Sequence, residues 1–347
     1  MLGLVHRGRW VLVATAAVLV SACSGNAGTS PLAAPARTIG AAGPSSGCGS
    51  TTPALGAGEE KVTITSNAVE RWYFRHVPPA HDGTKPLPLV LDLHGYLEGA
   101  VAHQVHSSLG AFGDQQGFVT ITPQGLGTVP RWETSVESKD VAFIGDLLDQ
   151  VEQTACIDRA RVFVTGLSNG AMMTSVIACA LAGRVAAVAP VAGVADVKRC
   201  KPARPVPVVA FHGTTDPFVA YDGGLGPAVA NLPAPDGSGR TLGEVGVRDG
   251  PKGPSVPEVM QAWAQRNHCE GKPIETKIAA DVTKLTFACP AGADVELYRV
   301  DGGGHSWPGS AFSKQIKNVV GPTTDSISAN EVMWNFFRTH PLTGIEP

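Results

Sequence analysis

The chain has 347 residues, 43% of them apolar, enough for one large core or two modest ones. Only 16% are charged and the formal net charge is −3, so there is no basic surface of the kind nucleic acid needs. Glycine (41) and proline (27) are abundant, yet the apolar share supports a packed globule.

Arg7 and Arg9 precede an apolar stretch from Trp10 to Val20, too short to span a bilayer. Val20-Ser21-Ala22-Cys23 follows and is similar to a bacterial lipobox, in which the cysteine is lipidated and becomes the mature N-terminus. Residues 1–22 therefore read as a lipoprotein signal peptide with Cys23 as the lipidation site; an ordinary secretory signal cleaved near Ala22 is the alternative. Either way the chain is exported, and the first reading anchors it to a membrane. Residues 23–57 are mostly Gly, Ala, Ser, Thr and Pro without apolar periodicity, and read as a flexible tether. Cys23 aside, six of the seven cysteines remain, an even number that suggests disulfides in an exported chain. Cys179–Cys200 and Cys269–Cys289 would each close a short excursion, leaving Cys48–Cys156 to pin the end of the tether. No CxxC pair supports the rival reading, a zinc site.

From residue 58 onward strand and helix patterns alternate. Val62 to Thr65 and Arg71 to Val77 read as an edge hairpin, and Leu87 to Leu93 as a buried parallel strand. A helix over 109–116, a strand over 118–122, an amphipathic helix over 140–153 and a strand over 161–165 follow. Next come a helix over 171–181 and strands over 185–189 and 206–211. Residues 222–254, broken by Gly and Pro, read as a long surface insertion placed to cover a cleft. Ser255-Val256-Pro257-Glu258 has the form of a capping box. Strands over 283–287 and 295–300 and a terminal helix over 325–339 complete the pattern. The alternation predicts an α/β fold with a mainly parallel sheet covered on both faces, in one catalytic domain over 58–342.

The chemistry is signalled by Gly166-Leu167-Ser168-Asn169-Gly170 between a strand and a helix. A serine on such a turn stands clear of its backbone, but needs a base to take its proton. His305, carried past a strand by Gly302-Gly303-Gly304, is the candidate base, with His212 as rival. Asp216 is the candidate carboxylate; Asp222 and Asp301 are alternatives, and an Asx turn ahead of Pro217 is its bland role. The chain order Ser168, Asp216, His305 is that of α/β hydrolases. Backbone N–H groups of Asn169 and of Tyr96 (or Leu97) are the candidate oxyanion hole, with His94 supporting that loop. Trp132, Tyr221 and Trp307 are candidates to line the substrate pocket; His103, His106 and His268 read as helix or surface residues.

Leu93-His94-Gly95, Pro123-Gln124-Gly125, the stretch from Arg161 to Met173, His212-Gly213-Thr214-Thr215-Asp216-Pro217 and Gly302-Gly303-Gly304-His305-Ser306-Trp307-Pro308-Gly309 carry a resemblance. The chain is similar to secreted polyhydroxybutyrate depolymerases and feruloyl or acetylxylan esterases, particularly LpqC-type lipoproteins of actinobacteria. That resemblance implies an α/β-hydrolase domain, a Ser168–His305–Asp216 triad, no metal or other cofactor, and a small or oligomeric ester as substrate. Outside the enzyme class, a surface-displayed binding module on a hydrolase scaffold is the alternative, and the intact candidate triad speaks against it.

Overall fold

Near-continuous apolar runs form the centre of a ten-stranded sheet in the computed structural model, which describes residues 43–49, 55–247 and 253–342. The signal segment, Cys23 and most of the proposed tether lie outside the described residues. In chain order, β1 (Gly58–Ser66), β2 (Val69–Val77) and β3 (Leu87–Leu93) lead to helices α1 (Gly99–Ser107) and α2 (Leu109–Gln116). Then come β4 (Val119–Pro123), α3 (Lys139–Thr154), β5 (Ile157–Leu167), α4 (Asn169–Ala180), β6 (Ala187–Val191) and β7 (Val208–Gly213). A 3₁₀ turn over Pro227–Asn231 precedes α5 (Val256–Arg266), β8 (Glu270–Ala279), β9 (Val282–Ala288) and β10 (Val295–Val300). The short helices α6 (Ala311–Gln315) and α7 (Lys317–Val320) and then α8 (Ala329–Phe337) end the described chain.

The strand order is β1-β2-β4-β3-β5-β6-β7-β10-β9-β8. From β4 to β10 all neighbours are parallel, and an antiparallel hairpin extends each edge. Alternation along the buried strands divides the core in two. Leu89, Leu91, Leu93, Val208 and Ala210 face α3, α4 and α5, where Ile144, Met173, Val176 and Met260 pack. Val90, Phe163, Val209 and Phe211 face the other way, against Leu109, Met333, Phe336 and Phe337. The result is a mixed, mostly parallel sheet between two helical layers, the α/β-hydrolase fold. This layering puts the loops after β3, β5, β7 and β10 at one edge, where parallel α/β sheets bind ligands.

Local chemistry sets the helix starts. Ser138 accepts the Val141 N–H at the head of α3, and Ser255 and Glu258 form a reciprocal capping box on α5. The terminal helix starts later than its sequence pattern suggests because Ser328 caps it by accepting the Glu331 N–H. Among the elements without a readable signal, α1 and β8 show the cause. In α1 the buried face is Gly99, Ala100, His103, His106 and Ser107, polar where an apolar stripe would be the cue. The edge strand β8 is largely exposed and owes its form to pairing with β9.

The end of the proposed tether is pinned, as the cysteine pairing suggests, and residues 43–49 also dock onto the connection between α3 and β5. Ser45 N–H donates to Ile157 O (2.8 Å), Gly47 N–H to Glu152 O (2.9 Å), and the Ser45 hydroxyl to Ala155 O (2.7 Å). A Cβ on Gly47 would collide with the Ala155 backbone, so the close approach requires glycine there. Disulfides join Cys48 to Cys156, Cys179 to Cys200 and Cys269 to Cys289. The first closes a 108-residue separation. Replacing Cys48 and Cys156 together by serine is expected to lower stability by about 4–5 kcal/mol, read from urea unfolding; an unchanged midpoint would contradict this.

Candidate active site

Ser168 follows β5 and opens α4 with φ 57° and ψ −118°, a conformation that side chains other than glycine rarely adopt. Its surroundings hold it there. Ser168 N–H donates to Val191 O (2.9 Å), and its carbonyl accepts the Met172 N–H (2.9 Å). A Cβ on Gly170 would overlap the Leu93 carbonyl oxygen, so the tight packing of this elbow against β3 requires glycine. The Ser168 hydroxyl has no hydrogen-bond partner among the described residues and lies on a large apolar cavity.

His305 lines the same cavity. Its Nδ1–H donates to Asp216 Oδ2 at 2.7 Å, leaving Nε2 as the acceptor. Asp216 Oδ1 accepts two backbone N–H groups, from Phe218 (2.8 Å) and Val219 (2.9 Å). The Asx turn and the histidine contact therefore coexist, one on each oxygen. Burial pushes the Asp216 carboxyl up, but the His305 charge and hydrogen bond, with His212 and the Val219 N–H, outweigh it and hold the group below its ordinary range. The loops are joined directly: Thr215 N–H and Oγ1 both reach Gly303 O at 2.9 Å. The rivals have other partners, though His212 Nε2 also comes within 3.5 Å of Asp216 Oδ2. His212 is fully buried and donates Nε2–H to Val219 O (2.9 Å), Asp301 pairs with Lys277 and Arg299, and Asp222 is exposed.

The loop after β3 presents Tyr96. His94 Nε2 accepts the Gly125 N–H (2.8 Å), so its Nδ1 carries the proton and donates to Gly95 O (2.7 Å). Burial pushes the His94 ring down to about 4, which keeps it neutral. In a trans peptide C=O and N–H point oppositely, so fixing Gly95 O directs the Tyr96 N–H the other way. Tyr96 N–H and Asn169 N–H find no acceptor among the described residues, and both residues line the cavity. Leu97 N–H already donates to Pro130 O (2.9 Å), which removes the alternative donor. The Asn169 side chain has a structural task, clipping the Trp132 backbone at both N–H and C=O.

The cavity holds about 540 Å³ and its walls are mainly aliphatic. Leu225, Val229, Leu232, Leu242 and Val247 of the insertion form one wall; Phe312, Ile316 and Val319 form another. Tyr96 Oη–H donates to Pro233 O (2.8 Å), fastening the insertion to the loop after β3. The sequence assignment of Trp132, Tyr221 and Trp307 to this pocket is corrected. Trp132 is 2% exposed and spends its indole N–H on His94 O; Trp307, 1% exposed, gives its own to Asn330 Oδ1. Tyr221 packs near the His212 ring and the core. The two tryptophans brace the loops from behind. The insertion-side lining is hard to read in the sequence because its apolar residues are scattered singly among Gly and Pro.

His103 and His106, read as helix or surface residues, do lie on helix α1, but they are buried. With Glu98 they bring one possible metal-ligand atom each within 4.8 Å of one another. Both His103 nitrogens face carboxylate oxygens, Asp92 at 2.7 Å and Glu98 at 2.9 Å, so both carry protons. Burial opposes that charge, but the two carboxylates prevail and raise the ring from its ordinary 6.5 to about 10. The sign follows: this pairing stabilises the fold fully below about 6.5 and is lost as pH rises through about 10. Urea midpoints are expected to fall steadily over that range; a flat profile would contradict the ion pair.

This sheet plan, with a serine raised on the elbow behind a central strand, is that of the α/β-hydrolase fold, and the comparisons relate the chain to esterases. No family model matches it. Feruloyl esterase B of Piromyces equi is 28% identical over 66% of this chain, which spans about two-fifths (41%) of that relative's length. Feruloyl esterase C of Emericella nidulans is 30% identical, covering 51% of this chain and 69% of the relative. The chain belongs to the esterase family that includes feruloyl esterase C. An acetyl xylan esterase from Aspergillus awamori superposes with a TM-score of 0.52 at 15% identity, over 75% of this chain and 98% of that one, a likeness of fold.

Proposed function

We propose that the protein hydrolyses small carboxylic esters with a compact apolar acyl group, of the feruloyl type, through an acyl-enzyme on Ser168. The observation that carries this is His305, held at Nδ1 by Asp216, sharing one apolar cavity with the Ser168 hydroxyl. His305 Nε2 takes the Ser168 proton as the oxygen attacks the ester carbonyl. The carbonyl oxygen gains charge and is met by the Asn169 and Tyr96 N–H groups. Collapse of the tetrahedral adduct expels the alcohol, which receives the proton from His305. Water then repeats the sequence on the acyl-enzyme.

The relatives named for feruloyl esters and the aliphatic cavity support this acyl group. A cavity of about 540 Å³ accommodates an aromatic acid. A hydroxybutyrate chain brings a polar oxygen every few atoms, and these walls offer few partners for it. The polyhydroxybutyrate reading therefore gives way to the feruloyl one. Export, with lipid anchoring at Cys23, remains part of the proposal and is supported by three disulfides, which persist in oxidising compartments.

Turnover of methyl ferulate is expected to exceed that of hydroxybutyrate oligomers by about tenfold or more, with p-nitrophenyl acetate and acetylated xylan as references. The opposite preference, or one for long acyl chains, would sink the proposal. Leu232→Trp, which fills the insertion-side wall, is expected to reduce methyl ferulate turnover about tenfold more than that of p-nitrophenyl acetate.

A further inference from the structure

Four ionisable side chains sit beneath the Gly95–Tyr96 turn, and the roles of donor and acceptor run through them without conflict. His103 gives one proton to Asp92 Oδ1 and the other to Glu98 Oε2. Asp92 Oδ2 accepts the Ser107 hydroxyl at 2.5 Å. The Glu98 oxygen that meets His103 also accepts the Gly95 N–H at 2.7 Å; its other oxygen accepts His106 Nδ1–H at 2.7 Å. His106 Nε2, left as an acceptor, takes the Ser313 hydroxyl proton, and Ser313 Oγ in turn accepts the Trp307 N–H at 3.0 Å. Trp307 lies two residues beyond His305. One chain of hydrogen bonds thus runs from the backbone of the oxyanion loop to the backbone of the histidine loop.

The turn it holds needs restraint. Leu97 has φ 69°, in the left-handed region that a branched side chain rarely enters. The turn's own closing bond, Glu98 N–H to Gly95 O, is long at 3.3 Å. Glu98 meets three donors, and only a carboxylate can accept from all of them, since an amide has one acceptor oxygen and its NH₂ would face a donor.

We propose that Glu98 is a positioning residue: ion-paired to the His103 imidazolium, it locks the Gly95–Tyr96–Leu97 turn so that the Tyr96 N–H aims into the cavity, and through His106 and Ser313 it keeps that turn in register with the loop carrying His305. This rests on the reading of Tyr96 N–H as an oxyanion donor. A divalent cation among Glu98, His103 and His106 would have to displace both Nδ1 protons, and is an outcome the test must exclude.

The test uses Glu98→Gln in the full chain, with active sites counted by end-point fluorophosphonate labelling. Turnover of p-nitrophenyl acetate per labelled site is expected to fall by about 10- to 100-fold with KM within about twofold. The inhibition constant of a boronic acid, which forms a tetrahedral adduct on serine, is expected to rise by a similar factor. A merely structural role would lower the number of labelled sites and leave both per-site quantities unchanged, and that result overturns the proposal. Should Glu98→Gln fail to fold, Ser313→Ala keeps the charged pairs and cuts only the link to Trp307. A smaller loss in the same two quantities is expected from it, and wild-type values for both overturn the proposal. In the wild-type protein, nitrogen-15 spectra should show His103 doubly protonated at about pH 8.5; a neutral ring there overturns it. Activity lost on dialysis against a chelator and restored by zinc also overturns it. Ser168→Ala run in parallel separates the two levels: retained hydrolysis sinks the serine mechanism itself, whereas lost hydrolysis beside an unimpaired Glu98→Gln sinks the positioning role alone.

Discussion

Ser168→Ala is expected to lower kcat for p-nitrophenyl acetate by a factor on the order of 10⁵ to 10⁶. Alanine leaves the oxyanion donors and the cavity in place, so the remainder should be the modest catalysis that binding and the backbone N–H groups supply to attack by water. The fold should hardly notice. The hydroxyl has no hydrogen-bond partner among the described residues, and alanine keeps the Cβ that the elbow already accommodates. Thermal unfolding followed by circular dichroism checks this half of the expectation. Activity above about one per cent of wild type in a folded variant would remove Ser168 from the chemistry.

Asp216→Asn is expected to cost about 10⁴ in kcat, and the structure says why. Two N–H groups, from Phe218 and Val219, point at Oδ1. An asparagine there must place its carbonyl oxygen against them, which turns its NH₂ towards His305 Nδ1. That nitrogen must then accept, so the ring proton moves to Nε2 and the imidazole loses the lone pair that would take the Ser168 proton. Stability should change little, because the Asx turn survives. Nitrogen-15 spectra of His305 can read the tautomer directly. A variant with wild-type kcat, or one that loses activity while Nδ1 remains protonated, would contradict this account. Asp216→Ala makes a useful contrast, since it removes the turn as well as the partner.

The sheet was legible because burial writes itself plainly into parallel strands. Leu87 to Leu93 is an apolar run interrupted by little, and in the structure every residue of it is buried. The strand ends that carry Ser168, Asp216 and His305 could be located for the same reason: glycine-rich turns follow the apolar runs directly. What lay hidden was of two kinds. One was a buried face made of polar groups. His103 and His106 carry no cue to burial until each is seen to meet a partner, and pairing across 11 positions in the chain for His103 and Asp92, or 207 for His106 and Ser313, leaves no local trace. The other was the cavity wall. Tryptophans near a catalytic motif suggest a binding slot, but Trp132 and Trp307 use their indole N–H groups to brace loops, a distinction that only direction in space can make.

The bond between Cys48 and Cys156 gives the molecule an unusual response to cutting and pulling. A force on the upstream chain would enter beside the first residue of β5 and bypass the β1–β2 hairpin. Proteolysis anywhere between Gly49 and Gly58 would not part the two pieces, which would travel together until a reductant released them. An enzyme held by its N-terminus would thus stay attached after such a nick and be shed by thiols.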